Sequence, residues 1–408
     1  MDKAVAQNSE NAPTSANDYV LRGFSYSTQG KNDLAIVNWT KAIDIDPNNA
    51  TAYYNRGIIY SEQGKDNLAL ADLNRAVDLE PNNTDALLAR ANIYVRQDNQ
   101  DLALADFNKV IKLNDHHGRA YYSRGIVYDR EKQYNLALHD YTKAINLYQN
   151  SSSSELMWGF LYFNRSNGKS ILGNSQKTKN NLSLSKIYNS RGVIYQEQEQ
   201  YALALADYSK AIDFFSEDPN LYVNRGIVYQ KQHKYDLALA DFNRAIEINS
   251  NLAEAYYNRG ITYHKQERYD VALKDLNKAI NINANFSEAY IYRGELYGTQ
   301  GKNNLAIADL DRAVKLDPHS TSAYSNRGII FARQSKYDLA LADFNRIIEI
   351  DPNNAENYGN RGILYHHLGK NDLAIADFRK AKQLFIDRGD DDSVKNVTNL
   401  LQSISEDF

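Results

Sequence analysis

The sequence contains no cysteine. Disulfide bridges and thiol catalysis are therefore excluded. No apolar run approaches the ~20 residues that a membrane-spanning helix needs. Nor is there an excess of either charge: 47 basic residues face 51 acidic ones, a formal net charge of −4. That balance leaves no electrostatic footprint for nucleic acid or for an anionic membrane. Histidine is sparse, at eight residues, and the adjacent pairs His116-His117 and His366-His367 would point apart on a helix. No HExxH, CxxC, phosphate-loop or GxSxG pattern occurs. The sequence thus offers no catalytic, metal or cofactor residues, and the chain reads as a non-enzyme. At the start, Ala4-Val-Ala6 resembles a signal-peptidase site, but no apolar segment precedes it. The cytoplasm is the expected compartment.

What the chain does have is one unit, repeated. In Ala52-Tyr-Tyr-Asn-Arg-Gly-Ile-Ile-Tyr60, the residues Tyr53, Arg56, Gly57 and Tyr60 share one face of a helix, being spaced i, i+3, i+4, i+7. Ala69, Asp72, Leu73 and Ala76 do the same for a second helix. Gln63-Gly64-Lys65 between them is a turn signal, and Glu80-Pro81-Asn82-Asn83 ends the second helix because proline cannot continue it. Gly57 has counterparts at Gly23, Ala91, Gly125, Gly159, Gly192, Gly226, Gly260, Gly294, Gly328 and Gly362. Every step is 34 residues except the 33 from Gly159 to Gly192.

A 34-residue hairpin with these residues at these places resembles the tetratricopeptide repeat over roughly residues 17–386. The Arg before the Gly, where Leu is commoner, departs from the usual pattern; this Asn-Arg-Gly variant resembles many bacterial members. The resemblance implies an all-α, right-handed superhelical solenoid of about eleven antiparallel hairpins that binds another protein or an extended peptide on its concave face. The expected organisation is a disordered segment at 1–16, repeats one to four at 17–149, starting with an N-cap near Asn17 or Asp18, and a degenerate fifth repeat at 150–187. Repeats six to eleven follow at 188–386. At 387–408 the helical spacing of Val394, Val397, Leu401 and Ile404 predicts a capping helix, which solenoid ends need.

The recurring residues divide into packing and recognition. Glycine inside a helix costs about 1 kcal/mol relative to alanine, so its recurrence implies close approach of a neighbouring helix. Of 31 tyrosines, nine lie four residues before the Gly position and ten lie three after it, which makes them packing residues. Arg precedes the Gly position in ten units, on the packed face, where an unpaired charge is costly. Asp72, Asp106, Asp140, Asp207, Asp241, Asp275, Asp309, Asp343 and Asp377 hold the matching place on the second helices. An Arg–Asp ladder inside or between hairpins follows. Arg22, whose unit has Asn38 in place of Asp, is the arginine best suited to a ligand carboxylate or phosphate.

Asn55, Asn224, Asn258, Asn326 and Asn360 lie two residues before the Gly, beside the packed stripe. The resemblance implies that these carboxamides hold the backbone of an extended peptide, since a carboxamide both donates and accepts. Tyr54, Tyr122, Tyr257 and His264, with a line of isoleucines (Ile58, Ile126, Ile227, Ile261, Ile329, Ile363), would form the floor. The Lys-beside-Asn set that clamps chaperone C-termini is not found. The fifth unit lacks both ladder residues, having Trp158 and Asn174, and its second helix should be frayed or a loop. Trp158, Phe160, Tyr162 and Phe163 there would make a second partner patch, suited to a regulatory subunit of a larger complex. Self-assembly remains a rival role, and the sequence leaves the oligomeric state open.

Overall fold

The computed structural model describes residues 15–150 and 176–406. Among these residues there are 21 α-helices and no strand. They pair as hairpins: α1 Ala16–Thr28 with α2 Asn32–Ile45, α3 Ala50–Glu62 with α4 Asp66–Leu79, and α5 Thr84–Arg96 with α6 Gln100–Leu113. Next come α7 Gly118–Arg130 with α8 Tyr134–Asn150, and α9 Gln176–Glu197 with α10 Tyr201–Phe214. The later pairs are α11 Pro219–Lys231 with α12 Tyr235–Ile248, α13 Ala253–Lys265 with α14 Tyr269–Ile282, and α15 Ser287–Thr299 with α16 Asn303–Leu316. Last are α17 Thr321–Arg333 with α18 Tyr337–Ile350, α19 Ala355–His367 with α20 Asn371–Arg388, and the single helix α21 Asp391–Glu406. Two compact units result, one ending at Leu221 and one starting at Tyr222, so the division falls inside α11.

In the first unit the second helix of each hairpin packs on the first helix of the next, and successive first helices touch. The second unit repeats this second-to-first packing, and α21 closes its end against α20. There Val397 and Ile404 are buried beside Phe385 and Phe378, with Val394 and Leu401 at the edge. The expected capping helix is therefore present. At the other end, the N-cap is Ser15 rather than Asn17 or Asp18. The Ser15 side chain accepts from the backbone N–H of Asp18, and the Asp18 carboxylate accepts from that of Ser15, a reciprocal capping box.

Each hairpin is locked at its glycine. The alanines of the second helix, such as Ala69 and Ala76, are fully buried, and the residue 16 positions after the glycine fills the gap between the helices. At Gly226 an added Cβ would stand 2.7 Å from Phe242 Cε1; at Gly57 it would stand 3.1 Å from Leu73 Cγ. Opposite Phe242, Tyr141 or Phe378 a methyl would collide with the ring, which explains why the helix-propensity cost is tolerated there. The hairpin turns need a left-handed residue. Gly30, Gly64, Gly301 and Gly369 supply it, but Asp98, Lys132, Glu199, His233, Glu267 and Ser335 adopt it too, with φ near 60°. Left-handed backbone costs an L-residue roughly 1–2 kcal/mol, partly offset by glycine's looser unfolded state. Lys132→Gly should accordingly stabilise the fourth hairpin by about 0.5–1 kcal/mol, read as a higher midpoint in urea. A lower midpoint would show that the turn carries no strain.

The ladder has nine rungs among the described residues. Arg56 holds Asp72 through Nε and Nη2, both at 2.7 Å, and the same two-pronged pair recurs down to Arg361–Asp377. Every Asp belongs to the same hairpin as its Arg. The third prong reaches back. Nη1 of Arg56, Arg90, Arg124, Arg259, Arg293 and Arg361 donates to Thr40, Asn74, Asn108, Asn243, Asn277 and Asn345 on the preceding second helix. Arg327 instead meets a carboxylate there, Asp311, at 2.6 Å. One guanidinium thus closes its own hairpin and ties it to the one before. The flanking tyrosines cover it: Arg56 lies 5.8 Å from the Tyr53 ring and 6.0 Å from that of Tyr60. The hydrogen bond to Asp72 is the main reason that Arg56 binds its proton even more firmly than usual, against the opposing effect of burial.

The stack does not run as the 34-plus-33 spacing predicts. Arg191, on α9, sends its third prong to Thr142 on α8, 49 residues back rather than 16. The α9–α10 hairpin of Gly192 therefore takes the place next to the α7–α8 hairpin of Gly125. Residues 151–175 of the expected fifth repeat, and Trp158, Phe160, Tyr162 and Phe163 with them, lie outside the described residues, as does most of the expected disordered segment. Residues 176–187 were expected as the frayed end of that unit. They are instead the opening turns of α9, with Leu184 and Ile187 buried in the core shared with Tyr141 and Tyr148. Ten hairpins, not eleven, are seen among the described residues.

Candidate partner-binding face

The ladder and the glycine lock take up one stripe of every first helix. The neighbouring stripe carries the Asn and Ile rows. Asn224, Asn258, Asn326 and Asn360 are all half-buried on α11, α13, α17 and α19 of the second unit. The Asn258 carboxamide donates to the carbonyl of Glu254 in its own helix at 2.9 Å. In the first unit Asn55 on α3 does the same to Thr51 at 2.8 Å. The carboxamides of Asn326 and Asn360 make no hydrogen bond among the described residues. None of Asn55, Asn258, Asn326 and Asn360 joins two helices in the way that Asn74 or Asn243 does.

The aromatic floor packs against the core in both units. Tyr54 and Tyr122, in the first unit, are packing residues. Tyr54 sits against the buried cluster of Ala69, Leu73 and Ile93, and burial pushes its phenol well above the ordinary range, with Asp85 adding to the effect and Arg119 opposing it. Tyr122 lies 5.8 Å from the Tyr141 ring and is likewise raised by burial, with a hydrogen bond to Ser190 opposing. Both were expected to line a groove; each is half-buried and packs on the core.

Tyr257 packs in the same way, against the buried Ala272, Leu276 and Leu296, and it and His264 also share a cluster of rings. Both lie on α13 and both meet Tyr292 of α15. The Tyr257 and Tyr292 rings are perpendicular at 6.2 Å, the His264 and Tyr292 rings nearly so at 5.4 Å, and Phe286 backs Tyr257 at 4.9 Å. His264 Nδ1 and the Tyr292 hydroxyl are 2.6 Å apart. Burial, with a smaller effect from Lys265, holds His264 below its ordinary range, against the opposing pull of Glu295. Burial, then Glu288 and Glu295, pushes Tyr257 up to about 12. Beside this corner, Gln230 of α11 donates to the Thr262 hydroxyl at 2.8 Å and to the Asn258 carbonyl at 3.2 Å, fixing α11 against α13.

Tyr292 and Glu295 are absent from the residues expected of the site. Tyr292 stands where other units have Asn, and Glu295 where they have Ile, so a search for those two residue types passes over them. Their shared departure at one repeat was the available signal. Arg22 is exposed on α1, 3.3 Å from the Tyr26 hydroxyl, and it meets no carboxylate among the described residues. Asn38, in place of its Asp, donates to Leu34 of its own helix.

This helix-pair architecture with its repeated glycine lock is that of the tetratricopeptide repeat family, and the chain belongs to it. Family models described as TPR repeat match residues 23–64 and 192–233, and models described as tetratricopeptide repeat match 50–83, 88–153, 217–285, 293–355 and 344–376. No curated protein matches the sequence. Among solved structures, a tetratricopeptide repeat protein from Parabacteroides merdae is similar over 67% of this chain and 95% of its own, at 20% identity and a TM-score of 0.47. YrrB, described as a TPR protein with an unusual peptide-binding site, is 26% identical, covering 47% of this chain and 97% of its own with a TM-score of 0.39. MamA is 23% identical over 40% of this chain and 96% of its own, with a TM-score of 0.38. Family membership supports a protein–protein interaction scaffold. No helix among the described residues is long and apolar enough to cross a membrane.

Proposed function

We propose that the chain is a non-enzymatic scaffold that takes an extended stretch of a partner protein along its first-helix face. The observation that carries this is the state of the Asn row. The carboxamides of Asn55 and Asn258 bond only to their own helices, and those of Asn326 and Asn360 make no hydrogen bond among the described residues. Half-buried carboxamides with spare donors and acceptors suit a peptide backbone, which presents N–H and C=O groups in alternation. The isoleucines beside them supply apolar contact. The covered end at α21 disfavours open-ended self-stacking.

Capture from source-cell lysate compares the wild-type chain with the triple variant Asn224→Ala, Asn258→Ala, Asn326→Ala, both first shown to be equally helical. A partner held by the wild type should be lost, or weakened at least tenfold, with the variant. Equal capture by both would remove the Asn row from recognition and turn attention to the segment around Trp158.

A further inference from the structure

Almost every tyrosine of the two packed rows has a cation on its ring. Arg259 lies 5.3 and 6.0 Å from the Tyr256 and Tyr263 rings, and Arg293 lies 5.6 and 5.9 Å from those of Tyr290 and Tyr297. Tyr257 and Tyr292, one stripe away, carry none among the described residues. They are accompanied by carboxylates instead. Glu288 and Glu295 are exposed and form no ion pair among the described residues. Glu295 follows Tyr292 by three residues on α15, so the two share a face of that helix, and Tyr292 meets both Tyr257 and His264.

Two half-buried aromatic rings and two carboxylates without counter-charge form the usual chemistry for a cation. A ligand carboxylate would be repelled here, and an apolar side chain would leave the charges unanswered. We propose that the Tyr257–Tyr292–Glu295 corner is a subsite for an arginine or lysine side chain of the partner's extended segment, Glu288 adding attraction from the rim. Arginine is the better fit, because a flat guanidinium stacks on a ring while reaching a carboxylate. This inference rests on the first-helix face being the binding face.

The test is a selection of random decapeptides displayed on phage, run against the full chain. Peptides selected by the wild type should share an Arg or Lys at a fixed place. Replacing that residue with norleucine should weaken binding about tenfold, and Glu295→Gln should weaken the parent peptide by a similar factor while leaving the norleucine form unchanged. Glu295→Lys should reverse the preference towards acidic residues. Selected peptides without a basic residue, or a parent peptide indifferent to Glu295→Gln, would overturn the inference. If the peptides bind but are also indifferent to Asn258→Ala and Asn326→Ala, the proposed face fails along with it. Selection of no peptide at all would overturn both. Glu295 is exposed, so neither substitution threatens the fold.

Discussion

Asp140→Ala should weaken the fourth hairpin more than any other single loss of a polar group in the first unit. The Asp140 side chain is 1% exposed and receives Nε and Nη2 of Arg124 at 2.7 and 2.8 Å. Alanine leaves a guanidinium in a partly buried site with only Asn108 and two tyrosine rings around it. Breaking such a pair from one side costs about 3–5 kcal/mol when the pair is fully buried; with Arg124 16% exposed, about 2–4 kcal/mol is expected. Because each repeat is stabilised by its neighbours, the loss should be local. Hydrogen exchange should accelerate in α7 and α8 before the second unit responds. Replacing both partners, Arg124→Met with Asp140→Leu, should recover most of the stability, since neither charge then has to be desolvated. A single variant as stable as the wild type would mean that the ladder is decoration.

Gly226→Ala should be the most damaging single methyl in the second unit. Its Cβ would lie 2.7 Å from Phe242 Cε1 and 3.0 Å from Cδ1, inside the distance at which carbon atoms repel. Phe242 is fully buried and cannot swing away. Overpacking of this kind costs about 1–3 kcal/mol, against the roughly 1 kcal/mol that alanine returns in helix propensity. The net loss shows in urea unfolding. Gly57→Ala, facing the smaller Leu73 at 3.1 Å, should lose much less. The double variant Gly226→Ala, Phe242→Leu should be more stable than the sum of the two single losses. Ala91 opposite Phe107 shows that one hairpin already tolerates the methyl, so the cost depends on how far each helix pair can separate. Equal effects at Gly57 and Gly226 would contradict this account of the glycines.

The hairpin, its glycine and its Arg–Asp pairs were legible because each depends on spacing along one helix or on two positions that recur together. What was not legible depends on which hairpin lies beside which. The spacing from Gly125 through Gly159 to Gly192 keeps the repeat length almost intact, so arithmetic alone inserts a fifth unit. Packing joins Arg191 to Thr142 directly. The third prong of each Arg was missed for a related reason: Asn74, Asn108 and Asn243 sit two residues after each Asp and look solvent-facing until the next hairpin is in place. At the candidate site, the sequence named Tyr257 and His264 beside Asn258 but passed over Tyr292 and Glu295, whose residue types depart from the repeat at their positions.

The most direct test of the first-helix face is site-specific crosslinking. A photoreactive benzoylphenylalanine would be placed at Ile261, on the face of α13, and separately at Leu237, on the exposed side of α12. Each variant is irradiated with the captured partner. Crosslinks from Ile261 and none from Leu237 are the predicted result. Crosslinks from Leu237 alone would place the partner on the second helices and contradict the account.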